Sequence, residues 1–388
     1  MATAGRHDDH DGGQGHRTEA QQAHAPHFAF GIEEEHQILD PSSGELRSEI
    51  EQLLPLAQAT LGDYAQPELY QAQVEVATTI CYTLDQARAE LIRLRRALLQ
   101  AGERIGVQFA SAGTHPFSDW RRQRITRKAR YQHLLSDYQQ VAREQVLFGC
   151  HVHVGTPDPE AAIQAMNRSR TWLPTILALT ANSPFWLGSD TGYASYRAQV
   201  WRRWPTAGMP PLLSDRAEYE ALVKTLVGSG SIRDATKLYW DVRPSARYPT
   251  LEFRITDACT TVDEALLVAG LCRALTRTSY EEVLRDEPPL LLSTMVLRAS
   301  KWQAARFGLE AQLVDSRSGE VVPLREMARR LLAYLRASLE EEGDWEQVCE
   351  LVDRILVDGN GALRQRRALQ AAGGFAAVME AIATRVAA

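Results

Sequence analysis

The amino-acid sequence predicts an α+β protein with a mainly antiparallel β-sheet, flanking helices and a helical C-terminal region. Apolar and polar residues alternate in short segments, as strands with one buried face require, at residues 28–39, 70–77, 107–112, 148–155, 238–242 and 250–256. From Asp263 onward, apolar residues recur at helical spacing instead, in residues 264–284, 323–339 and 345–356. The strands and the C-terminal helices are therefore expected in different parts of the chain.

The clearest helix predicted between the strands covers Leu84 to Arg104. Its apolar residues are spaced three or four apart, at Leu84, Ala87, Leu91, Leu94 and Leu98. Thr83 and Gln86 form a capping-box pattern at its start. This apolar stripe is expected to lie on the sheet.

Composition excludes several classes of protein. The chain has 388 residues and a formal net charge of −6, with both signs mixed, so no broad positive field attracts nucleic acid. Its five cysteines form no C-x-x-C pair, which argues against a disulfide framework and a thiolate metal site. The most apolar stretch, residues 172–187, is shorter than a spanning helix needs. We expect a cytoplasmic protein that binds neither nucleic acid nor membrane.

The chain divides into a tail and one domain. Residues 1–27 are rich in His, Asp, Gly and Gln and predict a disordered, histidine-rich tail. No Gly/Ser/Pro-rich linker interrupts the remainder, so residues 28–388 are expected to form a single domain. Within it, residues 28–258 would contain the sheet and residues 259–388 would form a mainly helical flank.

Ionisable residues recur on one face of the predicted strands. Because successive strand side chains point to opposite faces, Glu33 and Glu35 lie together while Glu34 points away with the apolar residues. The same alternation pairs Gln73 with Glu75, His151 with His153, Asp241 with Arg243, and Glu252 with Arg254. One face of the sheet is therefore predicted to be core and the other a functional surface.

Three interpretations of this polar face remain open. Magnesium prefers hard oxygen ligands, so Glu33, Glu35, Glu75 and Glu252 are candidate ligands. A His-x-His pair with a carboxylate suits zinc and a hydrolase, although the chain has no His-Glu-x-x-His helix. An ordinary solvated sheet face shows the same alternation, but such faces favour Thr and Lys over carboxylates, imidazoles and arginines.

A predicted loop from Asp190 to Arg197 has the composition of a substrate-recognition segment. It combines turn-forming residues with hydroxyl groups and a cation, and its candidate substrate-binding residues are Tyr193, Tyr196 and Arg197. The chain has no phosphate-binding P-loop and no dinucleotide fingerprint. Nucleotide binding would therefore depend on metals and arginines.

In order along residues 28 to about 367, the motifs resemble the carboxylate–amine ligases of the glutamate–cysteine ligase type 2 family. They are Gly31-Ile-Glu-Glu-Glu-His36, Gln73-Val-Glu-Val-Ala77, Ala112-Gly-Thr-His-Pro116, Gly149-Cys-His-Val-His-Val-Gly155, Ser183-Pro-Phe-Trp186, Thr191-Gly-Tyr-Ala-Ser-Tyr-Arg197 and Leu251-Glu-Phe-Arg254. The resemblance implies a glutamine synthetase-like fold with a curved sheet.

The resemblance also implies a site and a reaction. The metal-binding set would be Glu33, Glu35, Glu75, His151 and Glu252. Glu252 and Arg254 would be catalytic, with Arg254 contacting a phosphate or acyl phosphate. ATP and Mg²⁺, or Mn²⁺, would serve to join an amino acid to an amine, and a homodimer is the assembly suggested. A zinc-dependent amide hydrolase and an inactive nucleotide or amino-acid sensor remain the alternatives, and His36 departs from the family's commonest pattern.

Overall fold

A computed structural model describes residues 28–290 and 292–386. An antiparallel sheet lies at the centre of the fold. Within these residues the sheet has seven strands, in the order β2-β3-β1-β5-β9-β8 with β4 also paired to β1. The strands, including two short hairpins outside this sheet, are β1 (Phe30–Leu39), β2 (Ala65–Pro67), β3 (Gln73–Ala77), β4 (Gln108–Ala110), β5 (Gly149–Gly155), β6 (Phe185–Trp186), β7 (Ser189–Asp190), β8 (Val242–Pro244), β9 (Thr250–Asp257), β10 (Gln312–Val314) and β11 (Val321–Pro323). The predicted tail, residues 1–27, lies outside the described residues.

Helices occupy most of the remaining described chain. They are α1 (Ile50–Leu61), α2 (Leu84–Ile105), α3 (Ala129–Arg143), α4 (Pro159–Ser169), α5 (Leu173–Thr180), α6 (Arg197–Trp201), α7 (Arg216–Gly228), α8 (Val262–Leu284), α9 (Thr294–Phe307), α10 (Leu324–Glu341), α11 (Trp345–Asp358), α12 (Gly361–Ala372) and α13 (Phe375–Ile382). In the part of the chain that is described, none of these helices combines the length and apolar character needed to cross a membrane.

Most of the predicted elements form where expected. Strands β1, β3, β4 and β5 lie inside their predicted segments, and β9 extends one residue further, to Asp257. The strand predicted at 238–242 is wrong for its first residues. Trp240 makes an isolated bridge to Gly208, and the pairing of β8 with β9 starts at Val242. The helical spacing after Asp263 also gave no sign of the hairpin β10–β11.

The apolar face of the sheet is covered by helices. Thr83 caps α2 by accepting a hydrogen bond from the backbone N–H of Gln86, as predicted. The buried stripe of α2 packs into the same apolar clusters as Ile32 of β1 and Val74 of β3. Helix α8 adds Leu266 to this layer. The helical layer therefore leaves the opposite face of the sheet available for the ionisable residues.

A buried ion pair crosses this apolar layer. Glu34 points into it, as the alternation predicted, and Arg95 of α2 donates to its two carboxylate oxygens at 3.0 and 2.5 Å. Arg95 also donates to the carbonyl oxygens of Cys259 and Thr260 at 3.0 and 2.8 Å. Because a buried charge is tolerated only when it is paired, these contacts join β1, α2 and the segment after β9.

Candidate active site

Strand register aligns the predicted site residues in one row across the polar face. Glu35 of β1 lies opposite Glu75 of β3, and Glu33 lies opposite His151 of β5. Glu252 of β9 lies opposite His153, the next polar residue along β5. Directly opposed residues in antiparallel strands point to the same side of a sheet. Residues far apart in the chain therefore meet on one surface.

Two groups of potential metal ligands result from this alignment. The first comprises Glu33, His151 and Glu252, and the second comprises Glu35, Glu75 and His151. In each group, one donor atom from every residue lies within 4.8 Å of the others. His151 belongs to both groups. The five residues proposed from the sequence as a metal-binding set are thus brought together.

The imidazole of His151 is buried and available for coordination. Its Nδ1 atom lies 3.5 Å from Glu33 Oε2, but neither ring nitrogen has a hydrogen-bond partner among the described residues. Burial, reinforced by the nearby Arg254, lowers its pKa to about 4, which favours the neutral ring that binds metals. His153 differs, because its nitrogens face Thr250 Oγ1 at 3.0 Å and Glu33 Oε1 at 3.3 Å.

The carboxylates of β1 and β3 repel one another. Burial and the neighbouring Glu68 raise the pKa of Glu35 to about 7, although Arg197 opposes the shift. Burial also raises the pKa of Glu75, and Glu33, Glu68 and Glu35 add to that shift. Crowded like charges of this kind favour protonation unless a cation is nearby. A bound divalent cation would remove the repulsion, so the residues fit such an ion.

Glu252 is held differently from the other acids. Arg243 donates to both of its oxygens, at 2.9 and 3.2 Å, and Nη1 of Arg254 donates to Oε1. Burial by itself would raise the pKa of Glu252, but Arg254 and Arg243 hold it well below its usual range. The Nε atom of Arg254 is buried and has no hydrogen-bond partner within the described chain. Arg254 therefore retains a donor for a further group.

Arg197 reaches the same cluster from helix α6. The position that a Cβ atom would take on Gly149 is 2.6 Å from Nη2 of Arg197 and 2.8 Å from Nε2 of His151. Glycine at 149 therefore leaves room for both side chains, and its own N–H donates to Glu35 at 2.6 Å. The guanidinium also lies 5.6 Å from the ring centre of Trp201, as does that of Arg254.

The two predicted substrate-binding tyrosines, Tyr193 and Tyr196, lie within the loop that precedes helix α6. Trp302 of α9 donates to the Tyr193 hydroxyl at 3.2 Å, and Arg306 lies over the Tyr193 ring. The Tyr196 ring neighbours that of Trp186. The structure thus brings Arg197 to the carboxylate cluster and places Tyr193 and Tyr196 among aromatic residues of the loop, β6 and α9.

One buried acid at this site escaped the sequence prediction. Regular alternation along β9 would put Asp257 on the apolar face with Leu251 and Phe253, but the register between β5 and β9 shifts between Cys150 and Val152. This bulge reverses the alternation, so Asp257 points to the polar side. Bulges depend on pairing across strands, and the sequence carries no signal for this one. Glu68 was missed because it lies outside any alternating segment.

Comparison of structures defines the fold of this protein. The described fold matches the crystal structure of the glutamate–cysteine ligase of Francisella tularensis in complex with AMP, with a TM-score of 0.71. The match covers 92% of this chain and 88% of that chain at 11% sequence identity. The expected glutamine synthetase-like ligase fold is confirmed.

Sequence comparison specifies the family. The model of glutamate-cysteine ligase family 2 matches residues 29–381, so the chain belongs to that family. It is 38% identical over 357 residues to a protein of Herpetosiphon aurantiacus, covering 92% of each chain. It is 40% identical over 342 residues to one of Rhodopirellula baltica, covering 87% of this chain and 92% of the relative. Both relatives are named "Putative glutamate--cysteine ligase 2". The chain is an ATP-dependent carboxylate–amine ligase, an enzyme that forms carbon–nitrogen bonds.

Proposed function

We propose that this ligase joins the γ-carboxylate of glutamate to the amine of cysteine or of another small amine. The names of its relatives supply the substrate pair. The observation that carries the proposal is the pair of carboxylate–imidazole groups that share His151, with Arg197 and Arg254 beside them. Residues 28–388 would act as one catalytic unit.

Glu33, Glu35, Glu75, His151 and Glu252 would hold Mg²⁺, or Mn²⁺. Carboxylate oxygens predominate in both groups, which suits these hard cations better than zinc. When bound, the ions supply positive charge that neutralises polyphosphate during phosphoryl transfer. The unpartnered nitrogens of His151 support this assignment, because a buried imidazole without a hydrogen bond is costly unless it has a ligand.

The arginines would bind the groups that react. The γ-phosphoryl group of ATP passes to a carboxylate oxygen of the acid substrate, which gives ADP and an acyl phosphate. The amine nitrogen then attacks the acyl carbon, phosphate leaves, and the nitrogen loses a proton. Arg254 has an unpartnered Nε atom and would hold a phosphate or acyl-phosphate oxygen. Arg197, next to His151, would hold an anionic group of the substrate.

The loop around Tyr193 and Tyr196 would limit access of water to the acyl phosphate. Its present contacts support this role, because Arg366 of α12 binds the Asp190 carboxylate at 2.7 and 2.8 Å and the Tyr193 carbonyl at 2.9 Å. The helical region and the substrate loop are therefore linked directly. Excluding water protects a reactive intermediate from hydrolysis.

The test is ADP release by the purified chain with MgCl₂, ATP and L-glutamate across a panel of amines that includes L-cysteine. We expect an amine-dependent signal and an amide product with the mass of acid plus amine minus water. ADP release with L-glutamate that no amine stimulates, or a product without an amide bond, would contradict the proposal. Hydrolysis of an amide without ATP would instead support the zinc-dependent alternative.

A further inference from the structure

We infer that Asp257 is a positioning residue that holds Arg197 in place for the reaction. The inference rests on the proposed function in so far as Arg197 is taken to contact substrate. Asp257 is fully buried at the end of β9 and faces the polar side because of the bulge in that strand. It belongs neither to the predicted metal set nor to the predicted substrate-binding residues.

Asp257 joins two segments to the sheet: residues 182–183, which follow helix α5, and the C-terminal part of the substrate loop. Its Oδ2 atom accepts from the Asn182 backbone N–H and the Ser183 hydroxyl, both at 2.7 Å. Its Oδ1 atom accepts from the Ser195 hydroxyl at 2.8 Å. Because hydrogen bonds to a carboxylate are stronger than those between neutral groups, this arrangement favours one conformation of the loop.

Ser183 and Ser195 connect Asp257 to helix α6 through hydrogen bonds. With its proton donated to Asp257, the Ser183 hydroxyl accepts from the backbone N–H of Arg197 at 3.1 Å. The Ser195 hydroxyl likewise accepts from the N–H of Ala198 at 3.4 Å. A hydroxyl group can donate once and accept at the same time, so both serines serve two partners. Asp257 thereby sets where α6 begins and the direction in which Arg197 leaves it.

The charge of Asp257 also bears on the Arg197 side chain itself. Nη1 of Arg197 lies 4.0 Å from Oδ1 of Asp257. Its other described contacts with oxygen are long, at 3.5 Å to the Ile255 carbonyl and 3.3 Å to the Arg254 carbonyl. The Arg197 side chain is only 3% exposed, and its Nε atom has no hydrogen-bond partner in the described residues. The negative charges of Asp257 and, after it, Glu35 favour this buried cation without occupying all of its donors.

Space for Asp257 is provided by a glycine. A Cβ atom on Gly113 would lie 2.5 Å from the Asp257 carboxyl carbon, so a side chain at 113 would displace the carboxylate. Gly113 also donates from its N–H to the Asn182 carbonyl at 3.0 Å. The surroundings of Asp257 are therefore built around this carboxylate and the loop that it binds.

The decisive measurement is the rate at which phenylglyoxal modifies Arg197, followed by peptide mass mapping. We expect Asp257→Asn to accelerate labelling of Arg197 about tenfold, because local opening becomes easier, while buried Arg95 stays protected. Asp344→Asn is the matched control, since it removes another buried carboxylate, paired with Arg273, in the helical region. It should lower the melting temperature without changing the labelling of Arg197.

Kinetics provide a second readout, with the acid–amine pair that the ADP-release assay identifies. We expect Asp257→Asn to lower kcat about thirtyfold in the wild-type background, and less than about threefold when Arg197→Lys is also present. Independent, multiplicative losses together with unchanged labelling would overturn the inference and leave Asp257 a structural residue.

Two further outcomes are distinguishable. If Asp257→Asn does not fold, Ser195→Ala removes one of the two serine connections and should accelerate the labelling of Arg197 about threefold; no change would overturn the inference. If the wild type releases no ADP with any acid and amine, the proposed function fails, and the labelling rates still decide the role of Asp257.

Discussion

Glu34 and Glu35 are neighbours in strand β1, yet they lie on opposite faces of the sheet in opposite electrostatic surroundings. Burial by itself would raise the pKa of Glu34, but Arg95 and His36 hold it at about 2. Burial and Glu68 raise the pKa of Glu35 to about 7. Both carboxylates are nearly inaccessible, at 2% and 9% exposure. The difference therefore arises from their partners and not from their depth.

The comparison separates stability from function within one strand. On the helix-covered face, Glu34 accepts two hydrogen bonds from the Arg95 guanidinium and contributes to the stability of the native state. On the other face, Glu35 shares its surroundings with Glu75 and Glu68, an arrangement that lowers stability in the absence of a cation. Proteins retain such local conflicts where a ligand later relieves them. Substitutions on the polar face should therefore reduce activity with little loss of stability, whereas substitutions on the helix-covered face should reduce stability.

The largest effect should come from Glu33→Gln, on the polar face. The change keeps the shape of the side chain and removes a charge from the cluster, so kcat/KM should fall about 10⁴-fold. The melting temperature should stay within a few degrees of the wild type. Activity and thermal unfolding would be measured together, with Glu103→Gln on the exposed surface of α2 as the control. Retained activity in Glu33→Gln would remove this residue from the site.

The next largest effect should come from Arg95→Met, on the helix-covered face. Glu34 would be left buried without its partner, which should lower the free energy of unfolding by about 3–5 kcal/mol. Urea unfolding measures the change. The double variant with Glu34→Leu should recover much of the loss, because the uncompensated charge is gone. If both variants were equally unstable, the ion pair would not explain the stability of this face.

A somewhat smaller effect should appear on acidification. Since the pKa of Glu34 is about 2 in the folded chain against 4.5 ordinarily, its stabilisation is complete above pH 4.5 and is lost as the pH falls toward 2. The loss amounts to about 3 kcal/mol for this shift. Urea unfolding at a series of pH values would show a shallower acid slope in Glu34→Gln than in the wild type. Equal slopes would contradict the assignment.

The smallest of these effects should come from Gly149→Ala, which sharpens the comparison by testing space without altering charge. The new methyl group would press on Arg197 and His151, and we expect about a tenfold loss of kcat with little change in unfolding. Gly228→Ala is the matched control, because nothing lies within 4 Å of its new Cβ atom. Full activity of Gly149→Ala would show that the two side chains tolerate displacement.

Much of the fold and part of the site could be predicted before the structure. The alternation in β1 and β5 indicated that Glu33 and Glu35 share one face and that Glu34 lies on the other, because side-chain direction in a strand depends only on position. The apolar stripe of α2 could be predicted for the same reason, because helical periodicity depends only on residues that are close together in the chain. The roles of Glu33, Glu35, Glu75, His151, Glu252 and Arg254 in binding metal and phosphate stay predictions.

The sequence by itself determined which residues each strand and helix presents to one side, since these periods arise from the backbone of a few neighbouring residues. Only the tertiary structure decided that Arg95 meets Glu34, that Arg197 lies over Gly149, and that a bulge turns Asp257 toward the polar face. These outcomes depend on hydrogen-bond register and packing between distant segments. No local pattern of residues encodes such contacts, because their free energy belongs to pairs that meet only after folding.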